Sequence, residues 1–492
     1  MRKLHIHLGL CLLVLLTTLS CSKQKDIDVR YNMERTFFRA EKLKDRLMVN
    51  PQAARSEDFT KVIDAYRKVI EMLPTSMTDV NEHRQATLLA GSSQLRIADI
   101  YLLWLNPPQA ITELKKVLSD YPQNSSQTSL ALYKMAQIYQ RMGNWDKALE
   151  NYHLLLDPEK YPPIIAQDKP NLELLSIPFN LVFISQGKKQ SQIEFENAKD
   201  YYQKIIRDYP NSPLGSAAKF NLAKTYEISG NWNEAIGVLE TIKDSSGVVP
   251  TSILLEIGDI YLSGEKNIDN ARLTFEKAIS IHPNDSLTAQ ALLKLGHIYY
   301  QQKSYPKSRD ILSSIVKQFP KQGRIIAQAQ YLIAQSYENE GSWDRAINEF
   351  EWIPTNLPTT IQALEVPLHI AVYYQQHDNA KIAQTFYDKA LEGYQKLINK
   401  YPKTQLELLA MKYTARCYTL QNKWEEATKA LQGIADKYPQ TSEAFEALLT
   451  QATIYEQKLN QKAKAKEVYS KILSGFPNHP SAPEIEKKME SL

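Results

Sequence analysis

An all-α array of stacked helix pairs is the fold this sequence predicts, and three observations predict it. A proline-bearing stop, mostly Tyr-Pro or Phe-Pro, recurs at Pro74, Pro122, Pro162, Pro210, Pro250, Pro283, Pro320, Pro358, Pro402, Pro439 and Pro477. The gaps are mostly about 34 to 40 residues, the length of a helix–turn–helix repeat. Proline lacks an N–H and pushes the residue before it out of the helical region, so each stop ends a helix. Between stops, apolar residues return at helical spacing in two runs. In Thr288 to Pro320, Leu292, Leu295, Gly296 and Tyr299 share one face of the first run, and Ser308, Leu312 and Ile315 line the second. A short turn joins the runs: Gly143-Asn144-Trp145, Gly230-Asn231-Trp232 and Gly341-Ser342-Trp343. Glycine ends the first helix, Asn or Ser caps the second, and Trp packs on the neighbouring pair.

The totals agree with an array. A chain of 492 residues exceeds one ordinary core. A hydrophobic fraction of 43%, with 28 Tyr against 16 Gly, describes a folded chain. The net charge of +4 falls by two, to +2, once Arg2 and Lys3 leave with a leader. That balance gives no reason to invoke nucleic acid or an acidic substrate.

In chain order, residues 1–20 have a secretory layout: Arg2 and Lys3, an apolar run from Leu8 to Leu16, then Thr17 to Ser20. The run is too short for a stable membrane span. Its end, Thr18-Leu19-Ser20-Cys21, resembles a bacterial lipoprotein signal, although Thr18 stands where leucine is usual. The resemblance implies thioether attachment of diacylglycerol to Cys21, cleavage before it, and N-acylation of the new amine with palmitate. Ser22 in place of aspartate is, by the same resemblance, the outer-membrane pattern. Residues 21–30 then read as a lipidated polar tether. With Cys11 removed and Cys21 acylated, Cys417 is the one free thiol, and its helical setting makes it a small buried packing residue.

Residues 31–162 form an N-terminal arm. Its first pair is irregular: one helix through Phe37, Phe38, Ala40 and Leu43, a long loop from Asn50 to Ser56, and a second helix with Tyr66 and Val69. Residues 163–212 depart most. Ala198, Tyr202 and Ile205 fit a second helix, but Leu172 to Phe183 lacks a small–aromatic pair, Gln186 to Ser191 is an inserted polar loop, and Pro162 to Pro170 is rich in proline. This region is read as a hinge. Residues 213–480 form a C-terminal arm with cleaner sets: Ala223, Tyr226 and Ala235; Gly258, Tyr261 and Ala271; Ala371, Tyr374 and Ala383; Ala452, Tyr455 and Ala465. Residues 481–492 read as a polar cap. About eleven units result.

Ala98, Tyr101, Ala110 and Pro122 set small, aromatic, small and proline residues at fixed offsets. Ala334, Tyr337, Ala346 and Pro358 repeat them, as do Ala415, Tyr418, Ala427 and Pro439. In this the units resemble tetratricopeptide repeats. The resemblance implies a right-handed superhelical solenoid whose first helices line a concave groove. It puts Tyr133, Gln137, Phe220, Lys224, Leu293, His297, Tyr300, Tyr331 and Arg416 toward that groove. Their mixture of aromatic, amide and charged groups suits a polypeptide segment and lacks the single-sign track that nucleic acid needs. The endings Tyr209-Pro210-Asn211-Ser212 and Tyr401-Pro402-Lys403-Thr404 resemble repeats of the BamD-like outer-membrane assembly lipoproteins and the Tol–Pal-associated coordinator proteins.

The sequence holds no glycine-rich phosphate loop, Cys-x-x-Cys, His-Glu-x-x-His or Gly-x-Ser-x-Gly. The seven histidines after the leader are scattered, without metal-ligand spacing. No catalysis, cofactor, metal or small-molecule substrate is therefore expected. The expectation is a lipid-anchored, periplasm-facing outer-membrane scaffold that binds protein partners in envelope assembly or maintenance. The alternative is an accessory of polysaccharide export or cell-wall synthesis that binds glycan or a synthase.

Overall fold

The computed structural model describes residues 2–49, 51, 54–156, 172–186, 191–477, 479 and 481–492, with side chains from residue 24 onward. Among the described residues there are 23 α-helices and no strand. Eleven successive pairs run from Arg2–Val49 with Ser56–Glu71 to Ser442–Gln457 with Lys462–Gly475, and Ala482–Ser491 follows. The number and order of pairs are those the proline stops predict.

Within a pair, small residues let the helices close. Ala98, Ala136, Ala223, Ala334 and Ala452 in first helices are fully buried, as are Ala110, Ala148, Ala235, Ala346 and Ala465 in the second helices that cover them. The turn repeats in detail. The N–H of the residue before the second helix donates to the carbonyl of the motif aromatic: Asn106 to Tyr101, Asn144 to Tyr139, Asn231 to Tyr226, Ser304 to Tyr299 and Ser342 to Tyr337, each at 2.8–2.9 Å. This is a Schellman closure, and it needs a left-handed residue just before the donor. Gly143, Gly230 and Gly341 take that place with φ of 72–79°. Leu105, Lys303, Asp378 and Asn422 take it with φ of 54–59°, so the geometry persists where glycine is missing. Trp343 packs on the next pair as expected: its ring stacks on Tyr373 at 3.4 Å and its Nε1–H donates to Tyr374 Oη at 3.2 Å.

The chain divides into two compact units, Met1–Tyr161 with Leu397–Lys412 and Trp424–Leu492, and Pro162–Lys396 with Tyr413–Lys423. In the first unit, Phe59, Ile63 and Tyr66 pack with Ala40, Leu47 and Ile97. Its last helix seats Ile485, Met489 and Leu492 on the final pair, and Lys488 reaches Glu456 at 3.1 Å. In the second unit, one core surrounds Phe275 and another surrounds Phe350. Cys417 is fully buried there, with its Sγ 3.7 Å from the Tyr387 carbonyl oxygen, so its packing role stands.

The N-terminal tether needs correction. Residues 24–30 lie within the helix Arg2–Val49, and two of their polar side chains, those of Asp26 and Arg30, are docked. Asp26 is buried and accepts from Thr78 Oγ1 at 2.5 Å, Thr78 N–H at 2.7 Å and Asp79 N–H at 2.9 Å. Arg30 pairs with Glu82, and Met33 packs with Val69, Ala86 and Ala90. Polar composition suggested a free segment; in fact these groups satisfy the turn that starts the helix Val80–Leu103.

Of the expected hinge, residues 163–171 and 187–190 lie outside the described residues. In its described part, a 3-10 turn, Leu172–Ser176, runs into the helix Ile177–Ser185 and is followed by Ser191–Asp208. Tyr202 ties these together: its hydroxyl donates to the Leu175 carbonyl at 2.6 Å and accepts from Phe179 N–H at 3.1 Å.

Candidate functional site

In the second unit the first helices of four successive pairs, Thr251–Ser263, Thr288–Gln301, Gly323–Asn339 and Ile361–Gln376, line a cleft of about 540 Å³. Helical spacing puts its walls in register. Gln290, Leu293, Lys294 and His297 recur at i, i+3, i+4 and i+7, while Leu292, Leu295 and Ile298 on the other face are buried. Arg324, Gln328 and Tyr331 repeat the device one helix on. Leu262, Leu332 and Ile325 complete the apolar wall, and Gln362 adds a third amide. Among the described residues no carboxylate lines the cleft. Lys294 bridges to Asp259 at 2.8 Å, while Arg324 is exposed and has no carboxylate partner among the described residues. An amide both donates and accepts, so a row of them matches the main chain of a bound segment.

Leu293, His297 and Tyr331, all expected at the groove, come together in this cleft. The Tyr331 ring is half-buried, its edge on Phe350 at 5.2 Å and on His369 at 5.8 Å, and this burial raises the pKa of its hydroxyl. Partial desolvation, with the charge of Lys294 second, holds His297 below its ordinary pKa and keeps it neutral at pH 7. Tyr300 stacks beside His297 at 6.3 Å and its hydroxyl accepts from Asn339 at 2.8 Å. Phe220, Lys224 and Arg416 lie outside the cleft lining. Phe220 is half-buried against the core that surrounds Phe275. Lys224 bridges Glu227 at 2.7 Å and Glu256 at 2.5 Å; it loses solvation, but these bonds outweigh the loss and raise its pKa. Arg416 pairs with Glu365 and sits 5.8 Å from the Tyr413 ring.

In the first unit, Tyr133 corrects the expectation of an open groove position. It is 5% exposed, its ring lies 6.1 Å from Tyr152, and its hydroxyl accepts from Gln137 at 2.8 Å. The ring fills the pair's own interior, and Gln137 serves to satisfy it.

Sequence reading missed a set of ion pairs that join the first helices of neighbouring pairs. In the first unit they are Arg30–Glu82, Glu41–Arg96 at 3.1 Å, Asp99–Lys134 at 2.8 Å and Lys412–Glu446 at 3.4 Å. In the second they are Lys224–Glu256, Asp259–Lys294 and Glu365–Arg416, and a hydrogen bond between Glu338 and His369 at 2.7 Å takes the equivalent place. The available signal was opposite charges about one repeat apart at matching pattern positions. Among the described residues no such pair joins Thr288–Gln301 to Gly323–Asn339, and that gap is where the cleft opens.

Among the described residues, no group of three or more His, Cys, Asp or Glu side chains is arranged to hold a metal ion, and no helix is long and apolar enough to cross a membrane.

The tetratricopeptide-repeat sequence profile matches residues 92–124, 130–157, 189–212, 290–321, 372–404, 410–441 and 446–479. A second profile of the same description matches 251–285, and together they cover about half of the chain. BamD of Rickettsia prowazekii (strain Madrid E), described as an outer membrane protein assembly factor, is 25% identical over 220 residues, which is 42% of this chain and 87% of that one. Among solved structures, yeast Tom70 is similar over 92% of this chain and 95% of its own, with 13% identity and a TM-score of 0.42. The human IFIT1 dimer with m7Gppp-AAAA covers 89% and 96%, with 14% identity and a TM-score of 0.34.

Proposed function

The chain belongs to the tetratricopeptide-repeat family, a protein-interaction fold, and from that premise we propose that it is a lipid-anchored scaffold of the bacterial envelope. In this reading Cys21 carries the lipid, the repeats face the periplasm at the outer membrane, and the protein holds partners during outer-membrane assembly or maintenance without catalysing a reaction. The similarity to BamD supports the setting. The observation that carries the binding role is the cleft spanning four first helices, with its three amides, Arg324 and the apolar wall of Leu293 and Leu332. A peptide segment seated there lays apolar side chains on the leucines and main-chain groups against Gln290, Gln328 and Gln362.

The test is photo-crosslinking in living cells from benzoylphenylalanine at Leu293 or Tyr331, with mass spectrometry of the adducts and a control at exposed Ile193. Outer-membrane assembly proteins captured from the cleft positions and absent from the control are expected. Adducts confined to polysaccharide-export or cell-wall synthesis proteins would move the role to that machinery. Equal capture from all three positions would remove the cleft from consideration. Lipidation is read separately, as the mass of the N-terminal peptide in the parent and in Cys21→Ser.

A further inference from the structure

The helix Arg2–Val49 buries one stripe and exposes another. Met33, Ala40 and Leu47, seven residues apart, are buried against the first two pairs. On the opposite side Tyr31 and Phe38, also seven apart, are 61% and 59% exposed. Arg35, Arg39, Lys42 and Arg46 stand between and beside these rings at helical spacing, and all four are exposed. None of them has a carboxylate partner among the described residues, and Lys42 lies 4.7 Å over the Phe38 ring. The acids on this face are Asp28, which accepts from Gln24, Glu34, which pairs with Arg30, and Asp45, 3.9 Å from Lys44. Cations thus outnumber acids on the stripe by four to three, and Glu34 is already engaged by Arg30.

Two large aromatic rings left in water beside unpaired cations call for a covering surface. A second copy of the same stripe would set cations against cations. We propose that this stripe lies on an anionic lipid surface. Tyr31 and Phe38 enter the headgroup boundary, where aromatic rings partition well, and the four cations meet lipid phosphates. Position favours the same occupant. Tyr31 is ten residues from Cys21, about 15 Å of helix, so an acyl anchor there holds the stripe close to the bilayer. The proposal stands without the anchor, and it is independent of the cleft.

Residues 21–492 with Cys21→Ser keep every described side-chain contact and supply the protein for the test. This protein is floated with phosphatidylcholine vesicles containing about one-third phosphatidylglycerol, and with vesicles of phosphatidylcholine alone. Flotation with the anionic vesicles alone is expected, weakening as salt rises. Arg35→Gln/Arg39→Gln/Lys42→Gln/Arg46→Gln is expected to lower the bound fraction at least about tenfold, since each cation near an anionic surface adds to binding. Tyr31→Ser/Phe38→Ser is expected to lower it as well, with unchanged circular dichroism, because only exposed groups are altered. Arg324→Gln, in the cleft, is expected to float like the parent. Failure of the parent to float, or flotation untouched in both stripe variants, overturns the proposal. A parent that elutes as a dimer while the stripe variants elute as monomers also overturns it, in favour of a second copy on the stripe.

Discussion

Adding a methyl group to Gly258 tests how tightly the pairs close. Gly258 holds the small-residue position of the helix Thr251–Ser263. A Cβ there would lie 2.3 Å from Phe275 Cε1 and 2.5 Å from its Cζ. Phe275 is fully buried among residues of two neighbouring pairs, so the ring has nowhere to turn. Overpacking of this kind costs about 1–3 kcal/mol. Alanine returns about 1 kcal/mol of helix propensity, which leaves a net loss of up to about 2 kcal/mol for Gly258→Ala. Gly237 supplies the control, because it is exposed in the helix Trp232–Glu240 and a Cβ there meets nothing within 4 Å. Gly237→Ala therefore gains about 0.5–1 kcal/mol. The two substitutions are chemically identical and opposite in sign. Urea unfolding followed by circular dichroism gives the global effect. Hydrogen exchange of the Thr251–Ser263 amides gives the local one, which matters because a repeat array opens in parts. If Gly258→Ala proves as stable as Gly237→Ala, the close-packing account of the pairs is wrong.

Burial pushes the Cys417 thiol up to about 11, so with Cys11 and Cys21 replaced by serine, labelling by Ellman's reagent at pH 8 is expected to run at least about a hundredfold slower in native protein than in urea; fast native labelling would contradict the packing. The Thr78 hydroxyl, followed by the Asp79 N–H, holds the Asp26 carboxyl below its ordinary 3.8. A lowered folded value stabilises fully above the ordinary value and fades as pH falls through the folded one. Hydrogen exchange at Asn81 and Glu82 should therefore accelerate below about pH 4, and Asp26→Asn should lose that pH step. Glu407 is fully buried, accepting from Tyr438 Oη and Lys403 N–H at 2.6 Å each and pairing with Lys437. Glu407→Leu strands these donors and should cost about 2–4 kcal/mol in urea unfolding, with Glu407→Gln markedly milder.

Helix pairs were legible because proline, glycine and small residues act locally: Pro320 stops a helix wherever the chain leads, and Gly296 must meet a large neighbour, which is Leu312. Turns were legible only in part. The sequence marks Gly143 and Gly341, but Lys303 and Asp378 adopt the same left-handed conformation under the pull of the hydrogen bond to the preceding aromatic's carbonyl. The groove was legible where a side chain's direction follows from its helix, as for Leu293, His297 and Tyr331. It was not legible for Tyr133, since whether an aromatic turns inward depends on the volume left by its neighbours, in this case Tyr152. Asp26 was misread because a polar run looks the same whether it is solvated or docked on a distant turn. The partners of the charges on the first helices were invisible for a similar reason, as each pair spans a whole repeat.

Those ion pairs between first helices also impose grammar on the array. Glu256 and Asp259 make one repeat acidic on both edges, answering Lys224 of the repeat before and Lys294 of the repeat after. Loss of that repeat by slippage or recombination would bring Lys224 opposite Lys294, like charge facing like. Repeats that fold alike are for this reason not interchangeable. Each carries an address for its neighbours, written in charges that contribute little to stability one by one but penalise the wrong order. In an array of similar pairs, where wrong docking during folding is the characteristic hazard, such punctuation keeps the reading frame of the whole.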